Sequence, residues 1–393
     1  MNIAQLREDT PGCKEKTHFN NAGAALPPAP VLKAMQHYLQ EEALNGGYET
    51  AARNAEYVDC FYGAAAAMLN TKAANIAFTS SATNSFARAL SCIPFQQGDV
   101  VVIANEDYSS NQLAFLSLQQ RFGIQLLRAA SLPAGGVDVA DMEKLIRQHR
   151  PRLVSLTHIP TNTGLIQPVA AIGKICRELD ILYLLDACQS VGQMPLDVEE
   201  IGCDFLCATM RKFLRGPRGA GFLYVSDRIL ERNWFPLYID MYGATWTEKD
   251  SFQPEAGAKR FQDWEQSYAL LAGSYEAIQY ALDIGLDKIA ARNKALCKSL
   301  RDGLQQIPRI HLLDKGAKQS SIITMSIEDA DPQWLMMTLR ERDINTSVSS
   351  RVGALIDFDS KGVKSALRLS PHYYNTEEET QLLLSALAEI LKK

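Results

Sequence analysis

Short apolar runs alternate with helical patterns between residues 75 and 225 of this chain. Seven runs have the length of buried strands, and they cover residues 75–79, 100–104, 124–127, 153–157, 181–186, 204–208 and 221–225. Helical periodicity lies between them at 84–91, 111–122, 139–150 and 169–180. This alternation predicts an α/β domain with a mostly parallel seven-stranded sheet and helices on both faces. The order of the strands does not follow from the pattern.

A different pattern follows residue 264. Long amphipathic helices are predicted at 267–285 and 289–306, then strands at 310–313, 321–326, 344–349 and 366–370, with helices at 332–342 and 377–392. Strands mixed with helices in this way indicate a smaller α+β domain, and the helical segment near 267–303 is expected to connect the two domains. We therefore predict a large domain at 18–262 and a small domain at 263–393, with residues 1–17 packing on the small one.

Composition supports two domains and argues against some partners. The chain has 393 residues, 47% of them hydrophobic, and single cores stop growing at about 250–300 residues. A net charge of −5 gives no global field that would attract nucleic acid or an anionic membrane. The first residues lack a basic-then-apolar leader, and no apolar stretch approaches ~18 residues, so we expect neither export nor a membrane span.

The eight cysteines are scattered along the chain. None of them forms the two-residue spacing of a zinc or redox site, so the sequence predicts no metal site. Several lie in apolar patterns, as buried thiols do. Unpaired thiols suit a reducing compartment, and we therefore expect a cytoplasmic protein.

Polar residues follow three predicted strands, and ligands of open α/β sheets bind outside the carboxyl ends of strands. Residues 80–84 are small or hydroxylic and open a helix, so their amides could bind a phosphate, although such a run by itself is more often a plain N-cap. Tyr108 could stack on a planar cofactor, but a single aromatic there is more often a rim residue. Residues 158–164 offer polar side chains, and His158 alone is more often structural than catalytic.

Asp186 and Lys212 are the most informative pair in the sequence. Asp186 ends the run 181–186, and Lys212 lies just past the run 204–208. Pyridoxal phosphate (PLP) needs an anion at its ring nitrogen and an amine at its aldehyde, so these two residues predict a PLP site. Gln189 can donate to the phenolic oxygen of the cofactor. The alternative is that residues 211–219 form a solvated basic loop that binds an anion or nucleic acid.

Two longer motifs extend this pair. They are DACQ at 186–189 and RKFLRGPRGAGFLY at 211–224, and matching segments run from about residue 18 to residue 376. In this order they resemble the class V aminotransferases, including isopenicillin N epimerase-like proteins and C–S lyases. The resemblance implies the PLP fold of type I, PLP as the cofactor, an amino acid as the substrate and a homodimer. A phosphate contact from the partner subunit is expected near 263–267.

The resemblance also implies roles for individual residues. Lys212 is expected to form the Schiff base, Asp186 to face the ring nitrogen, and Gln189 to face the phenolic oxygen. Arg368 is expected to bind the substrate carboxylate with its guanidinium fork. The other expected contacts are Ala82 and Thr83 (phosphate, through their amides), Thr209 and Arg211 (phosphate, through their side chains), Tyr108 (ring stacking), Thr161 or Asn162 (near the phenolic oxygen) and Asn21 (substrate).

The motifs do not determine the reaction. Transamination, β-elimination and epimerisation all begin with loss of the proton from Cα, and the same residues serve all three. We expect a transaminase, with a C–S lyase acting on a cysteine derivative or an amino-acid epimerase as alternatives. A cysteine desulfurase is expected less, because residues 346–357 contain no cysteine to attack the substrate sulfur and Cys297 is the last cysteine in the chain. A PLP-binding regulatory protein without turnover is the remaining alternative.

Overall fold

The computed structural model of the chain describes residues 1–392. Up to residue 254 its helices and strands are α1 (Ile3–Glu8), β1 (Thr17–His18), α2 (Ala29–Asn45), α3 (Gly47–Arg53), α4 (Ala55–Leu69), β2 (Ile76–Thr79), α5 (Ala82–Cys92), β3 (Val100–Ile103), α6 (Ser109–Phe122), β4 (Gln125–Arg128), α7 (Val139–His149), β5 (Leu153–Thr157), α8 (Val169–Glu178), β6 (Leu182–Asp186), α9 (Val198–Ile201), β7 (Phe205–Thr209), β8 (Gly221–Val225), α10 (Asp227–Glu231), β9 (Ala244–Glu248) and β10 (Ser251–Pro254). The remaining elements are α11 (Tyr268–Ile284), α12 (Leu286–Leu304), β11 (Ile310–Leu312), β12 (Ile323–Ile327), α13 (Pro332–Arg340), β13 (Ile344–Asn345), β14 (Ser347–Ser350), α14 (Leu355–Lys361), β15 (Ser365–Leu369) and α15 (Glu377–Leu391).

Seven strands form one large sheet in the order β2-β8-β7-β6-β5-β3-β4. Strand β8 is antiparallel to both of its neighbours, whereas all other neighbouring pairs are parallel. Strands β5, β6 and β7 are buried along their whole length, and apolar cores lie on both faces of the sheet. The predicted α/β class with a mostly parallel seven-stranded sheet is confirmed.

The register of the central strands brings polar residues to one edge of the large sheet. Thr157, the last residue of β5, pairs with Asp186, the last residue of β6. Asp186 pairs in turn with Cys207 of β7, and β7 ends at Thr209. Because parallel strands end at the same edge, the side chains that follow them converge there.

The C-terminal part forms a second sheet with its own core. Its four strands are antiparallel in the order β11-β12-β15-β14. The core beneath them contains Leu335 of α13 and Leu387 of α15, together with Phe19 from the start of the chain. Strand β1 also pairs with β13. The chain therefore contacts the small sheet before it enters the large one, and the division at 262/263 stays a prediction.

The connecting segment consists of two helices. Helix α11 ends at Ile284 and is capped by Gly285, whose φ of +92° is a conformation that favours glycine, and α12 starts at Leu286. Ile278 of α11 belongs to the core of the large sheet, whereas Leu300 of α12 belongs to the core of the small sheet. The two helices thus connect the two cores. Within residues 1–392, no helix combines the length and the apolarity that crossing a membrane requires.

Candidate active site

A cavity of about 220 Å³ lies where the strands of the large sheet end. The structure brings nine of the predicted residues together in its walls. They are Ala82, Thr83, Tyr108, Thr161, Asp186, Gln189, Thr209, Arg211 and Lys212. The residues that follow β2, β3, β5, β6 and β7 therefore meet in one place, as the strand ends predicted.

Three predicted residues lie outside the walls of this cavity. Arg368 lies next to them, since its Nη1 donates a hydrogen bond of 2.5 Å to Oγ1 of Thr161. Asn162 is buried elsewhere and donates to a carboxylate oxygen of Asp357 at 2.6 Å. Asn21 is fully buried and is held by the Ser370 carbonyl and the Tyr374 hydroxyl. Of the two candidates at 161 and 162, the structure thus brings Thr161 to the cavity.

Lys212 carries a buried amine, and only 9% of the residue is exposed. Its Nζ lies 5.9 Å from the centroid of the Tyr108 ring and makes no hydrogen bond or ion pair within residues 1–392. Burial lowers the pKa of Lys212, and the nearby carboxylate of Asp186 opposes that effect. A buried lysine with a lowered pKa has more of its amine in the neutral, nucleophilic form.

Asp186 is held by donors on both carboxylate oxygens. Its Oδ1 accepts the backbone N–H of Cys188 at 2.9 Å, and its Oδ2 accepts Nδ2 of Asn111 at 2.9 Å. Asn111, on the first turn of α6, was not predicted as a site residue. Its position at the end of the polar run 105–111 that follows β3 was the available signal.

Gln189 and Thr161 are hydrogen-bonded to each other. The Gln189 Nε2 donates to Thr161 Oγ1 at 3.0 Å and to the carbonyl of Ala22 at 3.2 Å. The Oε1 atom of Gln189 is buried and has no partner in the part of the chain that is described. An unsatisfied buried polar atom on a residue that lines a cavity is consistent with a ligand group that completes the site.

The start of α5 provides an anion site. The Ser81 hydroxyl caps the helix by accepting the backbone N–H of Asn84 at 3.1 Å, which leaves the amides of Ala82 and Thr83 without a helical partner. A Cβ atom on Gly221 would lie 2.7 Å from the Ala208 oxygen and 2.8 Å from the Ala82 nitrogen, so only glycine lets strand β8 approach the start of α5 this closely. Free amides at a helix N-terminus, with Arg211 and Arg218 in the same cavity, suit a phosphate group.

Arg368 has neutral partners only. It donates to Thr161, to the Ser347 hydroxyl at 3.0 Å and to the side-chain oxygen of Asn20 at 3.5 Å. No carboxylate lies within ion-pair distance of it among residues 1–392. Burial and the neighbouring Arg211 lower the pKa of Arg368 to about 10. A guanidinium with lowered pKa and neutral partners is well suited to bind a carboxylate.

Three further residues line the cavity without having been predicted: Thr157, Cys188 and Arg218. Thr157 ends β5 in the same way that Asp186 ends β6, and the other two residues lie inside the motifs already described. Burial and the nearby carboxylate of Asp186 raise the pKa of Cys188 far above its usual value. This thiol is therefore protonated near neutral pH.

Comparison with known proteins identifies close similarity along the whole chain. A family model described as aminotransferase class-V matches residues 17–383. A probable cysteine desulfurase from Methanothermobacter thermautotrophicus is 28% identical over 99% of this chain and 98% of its own length. The structure of a cysteine desulfurase from Thermococcus onnurineus NA1 superposes with a TM-score of 0.92 at 24% identity and covers 99% of this chain and 98% of the other. The structure of a variant of C-DES with glycine linked to its PLP cofactor has a TM-score of 0.85 at 25% identity. The match covers 98% of this chain and 99% of the other.

The expected reaction was wrong. A transaminase was expected, with a C–S lyase or an epimerase as alternatives, whereas the Methanothermobacter and Thermococcus proteins are named cysteine desulfurases, a class that was ranked lower. The ranking rested on the absence of cysteine from residues 346–357. That absence removes one route, attack on the substrate sulfur by a thiol of this segment, but it does not remove the ability of the site to act on cysteine.

The residues of the cavity fit PLP. The free amides at the start of α5 match a phosphate, the Asp186 carboxylate matches a protonated ring nitrogen, and the buried Lys212 matches an aldehyde. The family match covers most of the chain and agrees with this site. The chain belongs to the class V aminotransferase family, and it is a PLP-dependent enzyme with the fold of type I.

Proposed function

We propose that the protein is a cysteine desulfurase, which removes the sulfur atom of L-cysteine and releases L-alanine. The observation that carries the proposal is the pairing of a buried, unpaired Lys212 amine with an Arg368 that has no carboxylate partner within residues 1–392. This pairing suits an α-amino acid. The whole-length similarity to a probable cysteine desulfurase supports cysteine as that amino acid.

In this proposal Arg368 binds the α-carboxylate of the substrate and thereby directs its Cα towards Lys212. Bound PLP supplies an electron sink that acidifies the proton on Cα. Lys212 removes and returns that proton, and its lowered pKa keeps the amine available as a base. Asp186 would hold the proton on the ring nitrogen of bound PLP, and Gln189 and Thr161 would hold its phenolic oxygen.

The phosphate contacts proposed are the amides of Ala82 and Thr83 and the side chains of Thr209, Arg211 and Arg218. They combine the positive end of the α5 dipole with two guanidinium groups, which is enough to bind a dianion. Tyr108 lies at the open side of the cavity, where its ring can cover the cofactor.

The sulfur acceptor in this proposal is a soluble thiol. Cys188 is the only one of the eight cysteines that lines the cavity, and its thiol is held protonated. Cys297 lies in the core of the small sheet, and burial raises its pKa to about 11. The overall change is balanced: the Cβ–S bond breaks, sulfur joins the thiol as a persulfide, and the hydrogen of the thiol is regained at Cβ. Sulfur is oxidised and Cβ is reduced.

The test is product analysis with L-cysteine and dithiothreitol. We expect alanine in amounts equal to the persulfide sulfur, which dithiothreitol releases as sulfide. Lys212→Ala should abolish product formation, whereas Lys174→Ala, at an exposed position on α8, should leave it unchanged. Pyruvate and ammonia without alanine would overturn the proposal, because they are the products of β-elimination.

We also propose that the protein is a homodimer. Large apolar side chains are exposed along residues 237–264, among them Tyr238 at 84% and Trp246 at 77%. A monomer rarely exposes such a patch. Sedimentation analysis should give twice the chain mass, and a Tyr238→Glu, Trp246→Glu double variant should give the monomer. A wild-type monomer at micromolar concentration would contradict this proposal.

A further inference from the structure

A second buried carboxylate lies behind Asp186. The side-chain amide of Asn111 donates one hydrogen bond to Asp186 Oδ2 at 2.9 Å and another to Asp107 Oδ1 at 3.0 Å. All three residues are buried, with exposed fractions of 5–7%. A single amide therefore connects the two carboxylates, although no role is yet assigned to Asp107 or Asn111.

The hydrogen-bonding neighbours of Asp107 all present donor atoms to its carboxylate. The Oε1 of Gln112 accepts from Arg128 at 2.9 Å, so its Nε2 must face Asp107 Oδ2, which it reaches at 2.9 Å. The backbone N–H of Tyr108 donates to Asp107 Oδ1 at 2.7 Å. With Asn111 and the Thr157 hydroxyl, which donates to Oδ1 at 2.5 Å, four donors converge on one carboxyl group. Burial and the negative charge of Asp186 raise the pKa of Asp107, and the four donors oppose that effect because they favour the ionised form.

The charge on Asp107 also fixes Asn111. If Asp107 were neutral, the Asn111 amide could rotate and present its oxygen to Asp186, where two acceptors would repel each other. With both carboxylates ionised, only the observed orientation places donors on both sides. The other titratable groups that face Asp186 are Lys212, Cys188 and Cys207.

We propose that Asp107 is a positioning residue of the cofactor site, which acts through Asn111 to orient Asp186 and to keep the ring nitrogen of bound PLP protonated. The negative charge of Asp107 adds to that of Asp186 and stabilises the cationic ring. Because the two carboxylates are separated by an amide, we expect an effect of about one pH unit on the ring nitrogen, at the low end of the range for direct charge contacts. The inference rests on the cofactor site and is independent of the proposed reaction.

The experiment compares Asp107→Asn with Glu106→Gln. Glu106 precedes Asp107 in the chain and is also buried, with 3% of the residue exposed. Its carboxylate accepts a hydrogen bond from the Ser131 hydroxyl. Two quantities are measured without substrate: the dissociation constant of PLP from the apoprotein, and the pH dependence of the visible absorption of the bound cofactor. For Asp107→Asn we expect an approximately tenfold weaker affinity for PLP. The midpoint of the absorption change should lie about one pH unit lower than in the wild type. Glu106→Gln should match the wild type.

Coincident absorption profiles for Asp107→Asn and the wild type would overturn the proposal. If circular dichroism shows that Asp107→Asn does not fold, Gln112→Met takes its place, because it removes one donor from Asp107 and leaves the carboxyl group. It should shift the midpoint in the same direction by a smaller amount, and an unshifted midpoint would again overturn the proposal. Since neither measurement uses cysteine, a failed desulfurase assay leaves the result intact.

Discussion

Arg368 donates a hydrogen bond of 2.5 Å to the hydroxyl oxygen of Thr161. The same oxygen accepts Nε2 of Gln189 at 3.0 Å. One hydroxyl group therefore connects the arginine proposed for the substrate carboxylate with the glutamine proposed for the cofactor. The two binding functions should depend on each other through Thr161.

Thr161→Val keeps the shape of the side chain and removes the shared acceptor. Hydrogen bonds to charged groups contribute about 1.5–3 kcal/mol, so we expect kcat/KM for L-cysteine to fall by roughly 10–100-fold, with weaker PLP binding. Thr163→Val is the matched control, since Thr163 is fully buried in the same loop and accepts only the backbone N–H of Leu165. Unchanged kinetics and cofactor affinity in Thr161→Val would show that the hydrogen bonds accepted by Thr161 contribute neither to catalysis nor to PLP binding.

Most of the large sheet could be predicted from the sequence. The runs predicted at 153–157 and 221–225 have the observed bounds of β5 and β8, because an apolar run between polar turns marks a buried strand. The place of β8 between β2 and β7 could not be predicted, since a strand buried on both faces carries no signal of direction or order. Helices α2, α3 and α4 and the hairpin of β9 and β10 were not predicted either.

The site was predictable where it depends on strand ends. Asp186 and Lys212 were found because each follows a buried run. The distinction between Thr161 and Asn162 was not predictable, because it depends on the turn after β5, which points one side chain to the cavity and the next to Asp357. The role of Asp107 and Asn111 in the site was not predictable, because it depends on their contacts with each other and with Asp186 across the edge of the sheet.

His158 should make the apoprotein sensitive to acid. Burial lowers its pKa from 6.5 to about 4, and its Nδ1 has no partner within the described residues. Between these two pH values the unfolded chain binds a proton that the folded chain does not, so stability falls as the pH decreases from 6.5 to 4. At pH 4.5 this group alone should cost about 2–3 kcal/mol relative to pH 7.

The measurement is the free energy of unfolding in urea at both pH values. His158→Gln should lose about 2–3 kcal/mol less than the wild type over this range. Burial also lowers the pKa of His18 and His372, so part of the acid sensitivity should remain. His311→Gln, at an exposed position, should behave as the wild type does. Equal losses in all three proteins would contradict the prediction.

Arg215 should be a stabilising residue of the segment that carries Lys212. It is 1% exposed, and its guanidinium donates to the Tyr373 hydroxyl at 2.6 Å, to Thr10 at 2.5 Å and to the carbonyl of Leu26 at 2.8 Å. It also lies 4.4 Å from the centroid of the Tyr374 ring. Arg215→Met would leave these acceptors buried without a donor, so we expect the protein to lose about 3 kcal/mol or more of unfolding free energy.

The control for backbone conformation is Arg150→Met. Arg150 also has a positive φ, +46° compared with +61° at Arg215, but it is exposed. Its substitution should change the free energy of unfolding by no more than about 0.5 kcal/mol. Urea denaturation at neutral pH measures both variants. A similar effect at both positions would assign the role of Arg215 to its backbone conformation instead of its hydrogen bonds.

Asp357 should hold the segment 350–361 against the large domain. Its carboxylate binds Lys361 at 2.7 Å and the Asn162 amide at 2.6 Å, and Lys315 lies 3.5 Å away. Asp357 and Lys361 are almost fully buried, so Asp357→Asn leaves a buried ammonium group without its anion. Removal of one partner from a buried pair costs about 3–5 kcal/mol, and we expect a loss of this size together with faster proteolysis within 350–361.

A neighbouring pair provides the comparison for Asp357. Asp359 binds Arg351 on the same segment, but both side chains are about half exposed, so Asp359→Asn should lower the stability far less than Asp357→Asn does. Adding Lys361→Met to Asp357→Asn should recover part of the stability, because the unpaired charge is then removed as well. Asp359→Asn and Asp357→Asn could also make the segment equally sensitive to protease. In that case the buried ion pair of Asp357 and Lys361 would not be what holds residues 350–361 against the large domain. The segment would then be held by its apolar contacts, and the Asn162 bond would be a consequence of its position.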